Sequence, residues 1–187
     1  MSESTTPTEA VPFALGPGEG TATWFLGTLM TLKATGDTTR HAFGLIEQVL
    51  PAGFAPPLHV HHGEDEAFYI LEGRLTFTCG ARAWDAPVGT FVFLPRDIVH
   101  GFRVTGDQPA RLLQFNMPAG VEQLFVEAGE SARERTLPPA GSPQVDKLLA
   151  LTTCYNVEIA GTAALPVDTS REKGAGAGAG EVSLGVP

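Results

Sequence analysis

Cysteine and basic residues are scarce in this chain. Cys79 and Cys154 are the two cysteines among 187 residues. They are too few for a disulfide framework or a sulfur-ligated metal site, so both are predicted to be packing residues. Lys and Arg number 12 against 21 Asp and Glu, and the formal net charge is −9. Without a basic excess the chain is a poor partner for nucleic acid or an anionic membrane surface, which favours a small neutral or weakly acidic ligand.

Signals for export and membrane insertion are also missing. The opening residues, MSESTTPTEAVPF, contain no basic segment followed by an apolar one, which is the pattern of a secretory signal. No apolar run reaches the length of a transmembrane helix, so a cytoplasmic protein is expected. The Ser/Thr/Pro/Glu-rich residues 1–12 predict a flexible leader. The Gly/Ala alternation near the end predicts a flexible tail over 161–187, or a strap held by contacts elsewhere.

What the sequence does contain is a series of short segments rich in β-branched and aromatic residues, separated by Gly, Pro and Asp. Such segments predict strands, and their regular spacing favours a sandwich or barrel. We expect one all-β domain over 13–160, with the barrel core at about 40–118. The predicted strands lie within 23–34, 41–50, 66–71, 74–79, 90–95, 100–104 and 110–115.

Two helices are predicted after the barrel, at about 120–131 and 143–155. Both show apolar residues at helical spacing. We expect these helices to pack on the barrel exterior or at a dimer contact. The residues expected on their apolar faces are Val121, Leu124, Phe125 and Ala128 in the first helix, and Val145, Leu148 and Leu149 in the second.

The segment LHVHHGEDEAFYILEG, residues 58–73, concentrates histidines and carboxylates. Residues i and i+2 of a strand point to the same face, so His59 and His61 can both reach one metal, whereas His62 points the other way. Glu66 is in phase with the apolar residues of the next strand, and a carboxylate on a buried face needs a cation. An isolated His-x-His pair is more often a surface pair, but here a phased carboxylate accompanies it.

A fourth candidate ligand comes from a later strand. His100 is in phase with Phe102 and Val104, which gives it an interior position. Three imidazoles and one carboxylate form a mixed nitrogen and oxygen set. Such a set suits Fe, Mn, Ni, Co, Cu or Zn without selecting among them, so we expect one divalent transition metal.

These residues resemble the first conserved motif of the cupin superfamily, G-x5-H-x-H-x3,4-E-x6-G. Gly53, His59, His61, Glu66 and Gly73 fill every defining position. The match places the candidate ligands on two strands joined by a charged turn.

The segment from Gly89 to Val104 resembles the second cupin motif, G-x5-P-x-G-x2-H-x3-N. Pro95 and His100 match it, whereas Asp97 stands where the motif has Gly and Val104 where it has Asn. Asp tolerates turn conformations, and neither departure falls on a ligand position.

The resemblance implies a double-stranded β-helix, or jelly-roll, barrel that binds a metal through His59, His61, Glu66 and His100, and frequently a homodimer. The layout, an N-terminal strand extension, a single barrel and one or two C-terminal helices, is most similar to the single-domain quercetin 2,3-dioxygenase-like cupins of bacteria. That likeness implies a metal-dependent dioxygenase that inserts O2 into a flavonol or a similar phenolic or enol molecule. Glu66 would be its general base.

Two other functions are compatible with the same ligands. One is a metal-dependent cupin isomerase, lyase or cyclase that acts on a biosynthetic intermediate without O2. The other is a cupin that binds a small molecule without catalysis. Consumption of O2 during turnover separates the dioxygenase from the first, and metal content separates it from the second.

The substrate pocket is expected to be lined by residues in phase with the ligands. The alternative is that these residues only fill the barrel interior. The candidates are Phe68, Ile70, Phe77, Phe91, Phe102 and Val104, with Leu75 and Phe93 as substitutes for Phe77 and Phe91.

Several polar residues near the motifs are assigned to turns or to the surface. His62 and Glu64 are expected in a solvated turn, with a place for His62 beside the pocket mouth as the alternative. Arg96 and Asp97 are predicted as turn residues rather than a substrate clamp. Tyr69 is predicted to face outward, and His41 is predicted to lie at the surface or at an interface.

Overall fold

The computed structural model describes residues 11–139 and 145–163, so most of the predicted leader and tail lie outside the described residues. The elements up to the barrel are β1 (Thr21–Phe25), β2 (Thr28–Ala34) and the short helix α1 (Gly36–Thr39). The barrel follows with β3 (Gly44–Leu50), β4 (Pro57–His61), β5 (Asp65–Glu72), β6 (Arg74–Cys79), β7 (Arg82–Pro87), β8 (Phe91–Leu94), β9 (His100–Val104) and β10 (Ala110–Met117). After it come α2 (Glu122–Ala128), β11 (Glu130–Ser131), α3 (Val145–Thr152), a 3-10 turn (Thr153–Tyr155) and β12 (Val157–Ala163).

Two antiparallel sheets build a jelly-roll barrel. The larger has the strand order β11–β1–β2–β3–β10–β5–β8 and the smaller the order β12–β4–β9–β6–β7. Their inner faces meet where the ring of Phe68 on β5 contacts the rings of Phe77 and Phe102 on the opposite sheet. This architecture confirms the predicted all-β barrel with an N-terminal strand extension and C-terminal helices.

A tight turn divides the first predicted strand, 23–34, into β1 and β2. Leu26 and Gly27 both have positive φ, 49° and 83°, as the central residues of a two-residue hairpin do. The hairpin extends the larger sheet beyond β3 and supplies part of the wall of the site described below.

Alternation along the strands directs apolar side chains into two clusters. The barrel cluster fills one end and includes Leu50, Phe68, Ile70, Phe77, Val104 and Leu112. The helix cluster joins β1 to β3 with the C-terminal helices and includes Phe25, Met30, Ile46, Leu124, Phe125 and Leu148.

The C-terminal helices form part of the wall of a cavity. The sequence analysis did not predict this position for them. In α2 the four residues predicted on one face are all buried, which confirms that face. In α3 Leu148 is buried but Leu149 is 50% exposed, so its predicted inward position is wrong; the side chain of Val145 lies outside the description. Leu124, Phe125 and Leu148 line the cavity, and the helices therefore do more than cover the barrel exterior.

Strand β12 is a second element that the sequence analysis missed. It pairs antiparallel with β4, so that Val157 lies opposite His61 and Ile159 opposite His59. Its last residues fall within the segment predicted as a tail. Cys79 is buried as predicted, whereas Cys154 is exposed and is not a packing residue. In the part of the chain that the structure describes, none of the helices has the length and apolar character needed to span a membrane.

Candidate metal centre

The four predicted ligands come together between the two sheets. His59 on β4 lies directly opposite His100 on β9 in the smaller sheet, and His61 lies two residues further along β4. Glu66 projects from β5 of the larger sheet. One ligand atom from each of these residues can be chosen so that all lie within 4.8 Å of one another. The prediction that these side chains share one site is confirmed, and the cluster could hold a metal ion.

The three histidines are oriented by acceptors on their Nδ1 atoms. His59 Nδ1 donates to the carbonyl of Pro57 at 2.8 Å, and His100 Nδ1 donates to the carbonyl of Ile98 at 2.8 Å. His61 Nδ1 contacts the carboxylate of Glu64. A neutral imidazole that donates from Nδ1 keeps its lone pair on Nε2, so each ring presents Nε2 as the ligand atom.

Amide side chains hold Glu66 in place. Its Oε1 accepts hydrogen bonds from Gln114 Nε2 and, at 3.0 Å, from Asn116 Nδ2. Asn116 lies directly opposite Glu66 in the ladder between β10 and β5. Oε2 lies 3.1 Å from His100 Nε2. The carboxylate therefore has one oxygen fixed by amides and the other directed toward the histidines.

Burial and neighbouring charges act in opposite directions on the ionisation of the ligands. His59 keeps some exposure because it lines the cavity, but the protein packed around its ring lowers its pKa to about 4, against the raising effect of Glu66. Burial also lowers the pKa of His61, but Glu66 and Glu64 outweigh it and the pKa is raised. Burial raises the pKa of Glu66, yet His61 and His100 outweigh it and hold the pKa at about 2. Glu66 is thus a carboxylate, the form that binds a metal.

The chemistry of this donor set fits a divalent transition metal. Three imidazole nitrogens and one carboxylate oxygen are borderline ligands that these ions accept. His61, Glu66 and His100 are 3%, 2% and 1% exposed, and such buried polar groups are costly unless a partner compensates them. A cation among them would be that partner.

An apolar cavity opens above the four residues. Its empty space is about 630 Å³ when the open solvent at its mouth is included. Both clusters contribute to its wall. Besides the ligands His59, His61 and Glu66, its lining includes Phe25, Met30, Phe54, Phe68, Phe102 and Phe125.

The predicted pocket residues divide into three groups. Phe68 and Phe102 line the cavity. Ile70, Phe77 and Val104 lie in the barrel cluster and are not among the residues on the cavity wall, so their prediction as substrate contacts is corrected to core packing. They share the parity of the ligands but sit deeper along the barrel, where small barrels are filled by side chains.

Phe91 is the clearest error in the predicted pocket. It is 61% exposed, and Phe93 is 48% exposed. The alternation of β8 directs Val92 and Leu94 inward, so both phenylalanines face outward. An aromatic-rich strand such as TFVFLP gives no indication of which parity is buried.

The charged turn of the first motif is more buried than predicted, and its side chains have defined partners. Glu64 is 6% exposed rather than solvated, because its carboxylate contacts His61. His62 is exposed as predicted, and its Nδ1 lies 2.7 Å from Asp97 Oδ1. Asp97 has φ of 63°, the left-handed conformation expected of a residue at the glycine position of the motif.

Sequence reasoning also missed the amide residues around Glu66. Gln48, Gln114 and Asn116 are buried at 2%, 4% and 0% exposure. Gln48 and Gln114 lie in predicted strands, on the same face as the buried apolar residues Ile46, Leu50 and Leu112. A polar side chain at such an interior position was the available signal, since buried polar groups require partners.

Comparison with known proteins agrees with this geometry. The family model described as a cupin domain matches residues 46–116. Quercetin 2,3-dioxygenase of Bacillus subtilis (strain 168) is 28% identical over 139 residues, which are 74% of this chain and 41% of that protein. An uncharacterised protein of Methanocaldococcus jannaschii is 30% identical over 74 residues, or 40% of this chain and 59% of that protein. The chain thus spans less than two thirds of the length of these relatives.

Solved structures share the fold at low sequence identity. A predicted oxalate decarboxylase from Thermotoga maritima has a TM-score of 0.53 and 20% identity, and the match covers 57% of this chain and 99% of that chain. An RmlC-like cupin from Shewanella frigidimarina NCIMB 400 has a TM-score of 0.51 and 17% identity, covering 60% and 96% respectively. The chain therefore has a jelly-roll barrel with both histidine motifs, its residues 46–116 match the cupin domain, and it is similar in sequence to quercetin 2,3-dioxygenase.

Proposed function

We propose that this cupin is a metal-dependent dioxygenase that inserts O2 into a flavonol or a similar phenolic or enol small molecule. The observation that carries the proposal is the convergence of three imidazoles and one carboxylate at an apolar cavity with aromatic walls. The sequence similarity to quercetin 2,3-dioxygenase supports the reaction class. The metal-dependent isomerase, lyase or cyclase and the non-catalytic binding cupin remain the rival functions.

His59, His61, Glu66 and His100 would hold the metal. When bound there, a divalent transition metal supplies Lewis acidity that makes a hydroxyl group of the substrate more acidic.

The protein would contribute binding and proton transfer. Phe68 and Phe102 offer flat apolar surfaces that suit a planar phenolic ring and exclude water around it. Glu66 would accept the proton of the substrate hydroxyl, because its carboxylate lies at the centre where a bound metal would make that hydroxyl more acidic. The amides of Gln114 and Asn116 on Oε1 would hold the Glu66 carboxylate in place during that transfer.

The test combines metal analysis with O2 uptake. Protein loaded with each candidate metal in turn should consume O2 in the presence of quercetin or a related enol. His100→Ala should lose both bound metal and O2 uptake, since it removes a buried ligand. His62→Ala is the matched control, because it removes an exposed histidine of the same segment and should retain both.

Two results would contradict this function. Turnover of the substrate that continues unchanged without O2 would favour the isomerase, lyase or cyclase. A carefully purified protein with no metal, and no affinity for one, would favour non-catalytic binding. The homodimer, implied by the family resemblance, is also proposed, and sedimentation analysis of the purified protein measures it.

A further inference from the structure

We propose that Gln48 is a specificity residue that accepts a hydrogen bond from a hydroxyl or N–H group of the bound molecule. The proposal rests on the proposed role of the cavity as a small-molecule site and defines what that molecule must carry. The bound molecule needs an apolar body, one oxygen for the metal centre and a separate hydrogen-bond donor for Gln48.

The orientation of Gln48 follows from a row of polar side chains across three neighbouring strands. Glu66 on β5, Gln114 on β10 and Gln48 on β3 all lie on the inner face of the larger sheet. The carboxylate of Glu66 can only accept, so Gln114 must present its NH2 group to it. Gln114 Nε2 does contact Glu66 Oε1, and it also lies 3.2 Å from Asn116 Oδ1, a second acceptor. The direction of the Gln114 amide is thereby fixed.

The next amide in the row is fixed in the same way. With its NH2 group turned toward Glu66, Gln114 presents Oε1 to Gln48. A carbonyl oxygen only accepts, so Gln48 must donate from Nε2, which is the contact that the structure shows. Flipping the Gln48 amide would set two carbonyl oxygens against each other. The direction of the Gln114 amide therefore leaves Gln48 with a free acceptor, Oε1.

That acceptor is buried and unsatisfied. Gln48 is 2% exposed, and its Oε1 has no hydrogen-bond partner among the described residues. A buried carbonyl of this kind is costly to leave unpaired. Gln48 lines the cavity together with Met30, Phe125 and the ligand residues, and we infer that a small shift of its side chain on binding would bring Oε1 to a molecule held there.

The surroundings of Oε1 restrict the chemistry of its partner. The free group is an acceptor, so its partner must carry a proton to donate, which a carboxylate lacks. The rest of the wall near Gln48 is apolar. A phenol or enol with a further hydroxyl fits, whereas a small dianion does not. Because a site built around a polar contact rejects analogues that lack it, this contact should discriminate strongly.

The experiment measures binding rather than turnover, so that it is independent of the proposed dioxygenase reaction. Metal-loaded protein is titrated without O2 with pairs of phenols that differ in one hydroxyl, such as quercetin or catechol against their mono-methyl ethers. For at least one hydroxyl, wild-type protein should bind the free phenol about 10- to 100-fold more tightly than the ether. Gln48→Met has similar volume and no acceptor of comparable strength, and it should reduce that ratio to less than about threefold. Gln123→Met, on the outer part of α2, is the matched control and should keep the wild-type ratio.

Two results would overturn the proposal. One is a wild-type protein that binds no hydroxylated probe more tightly than its ether, a comparison that needs no variant to fold. The other is a Gln48→Met protein that keeps the wild-type ratio while its metal content and thermal midpoint are unchanged. Absence of O2 uptake together with the expected binding ratios would reject the dioxygenase and leave the role of Gln48 standing.

Discussion

Each candidate histidine ligand is oriented by one neighbouring acceptor. Backbone carbonyls orient His59 and His100, but a carboxylate, that of Glu64, orients His61. A carboxylate on the far nitrogen increases the basicity of an imidazole more than a carbonyl does, and such partners strengthen metal binding. The three histidines are therefore unequal, and His61 is the ligand whose strength depends on a side chain that can be changed.

We predict that Glu64→Gln weakens metal binding about tenfold, within the range measured for residues that support ligands. The substitution keeps an oxygen that can accept from His61 Nδ1 but removes the negative charge. Competition with a chromophoric chelator measures the affinity. Glu158→Gln is the control, because Glu158 lies 3.5 Å from the exposed, non-ligand His62 and should have no effect. Equal affinities in the two variants would show that the charge of Glu64 is irrelevant to the metal.

The ligands themselves could be predicted from sequence, and their supporting residues could not. His59, His61, Glu66 and His100 follow from two motifs and from strand parity. Gln48, Gln114 and Asn116 act through partners on other strands, and no local pattern states which strands are neighbours. Glu64 was assigned to solvent because it lies in a charged run. It is buried because the turn after His61 brings its carboxylate back against the His61 ring.

At the scale of elements, the turn between β8 and β9 is tied to the start of β5. Arg96 Nη2 lies 2.9 Å from Asp65 Oδ2, Arg96 Nε lies 3.0 Å from Asp65 Oδ1, and the Arg96 backbone N–H donates to the same oxygen at 2.9 Å. The next residue, Asp97, donates its backbone N–H to the carbonyl of His61. This turn leads into β9, which carries His100, and it contacts the two strands that carry the other three ligands.

We predict that Asp65→Asn lowers the thermal midpoint at neutral pH and that the difference from wild type disappears in acid. Hydrogen bonds from Arg96 lower the pKa of Asp65. The stabilisation is thus complete above the ordinary Asp pKa of about 3.9 and is lost as the pH falls through the lower folded-state value. Thermal melts of both proteins between about pH 7 and pH 3 measure it, with Asp107→Asn, in an exposed loop, as the control. A gap that stays constant down to the lowest pH would exclude the ion pair as its cause.

The elements that the sequence failed to predict have weak local patterns or distant partners. Strand β12 gains its hydrogen bonds from β4, a strand far earlier in the chain. Its segment VEIAGTA contains one glycine and two alanines, which are poor strand formers. Strand β8 was predicted correctly, but apolar residues at both parities concealed which face is buried. The apolar face of α2 was predicted from spacing alone, whereas its position over the cavity depends on the helix cluster as a whole.

At the scale of the whole molecule, the candidate metal centre joins the two sheets. His59, His61 and His100 come from the smaller sheet and Glu66 from the larger, so a bound ion would link the two halves of the barrel through buried side chains. The cavity lies at the same junction and takes its wall from both clusters. Occupation of the centre should therefore affect global stability as well as chemistry.

We predict that metal raises the thermal midpoint of the metal-free protein in proportion to its binding free energy. An ion that binds the folded state alone stabilises it by about 2.7 kcal/mol at one hundred times its dissociation constant, which corresponds to roughly 5–10 °C for a domain of this size. Calorimetry of chelator-treated protein with and without added metal measures the shift. His62→Ala should show the full shift. His100→Ala should show little or none, because three ligands bind the ion more weakly. A full shift in His100→Ala would place the stabilising ion somewhere other than between the two sheets.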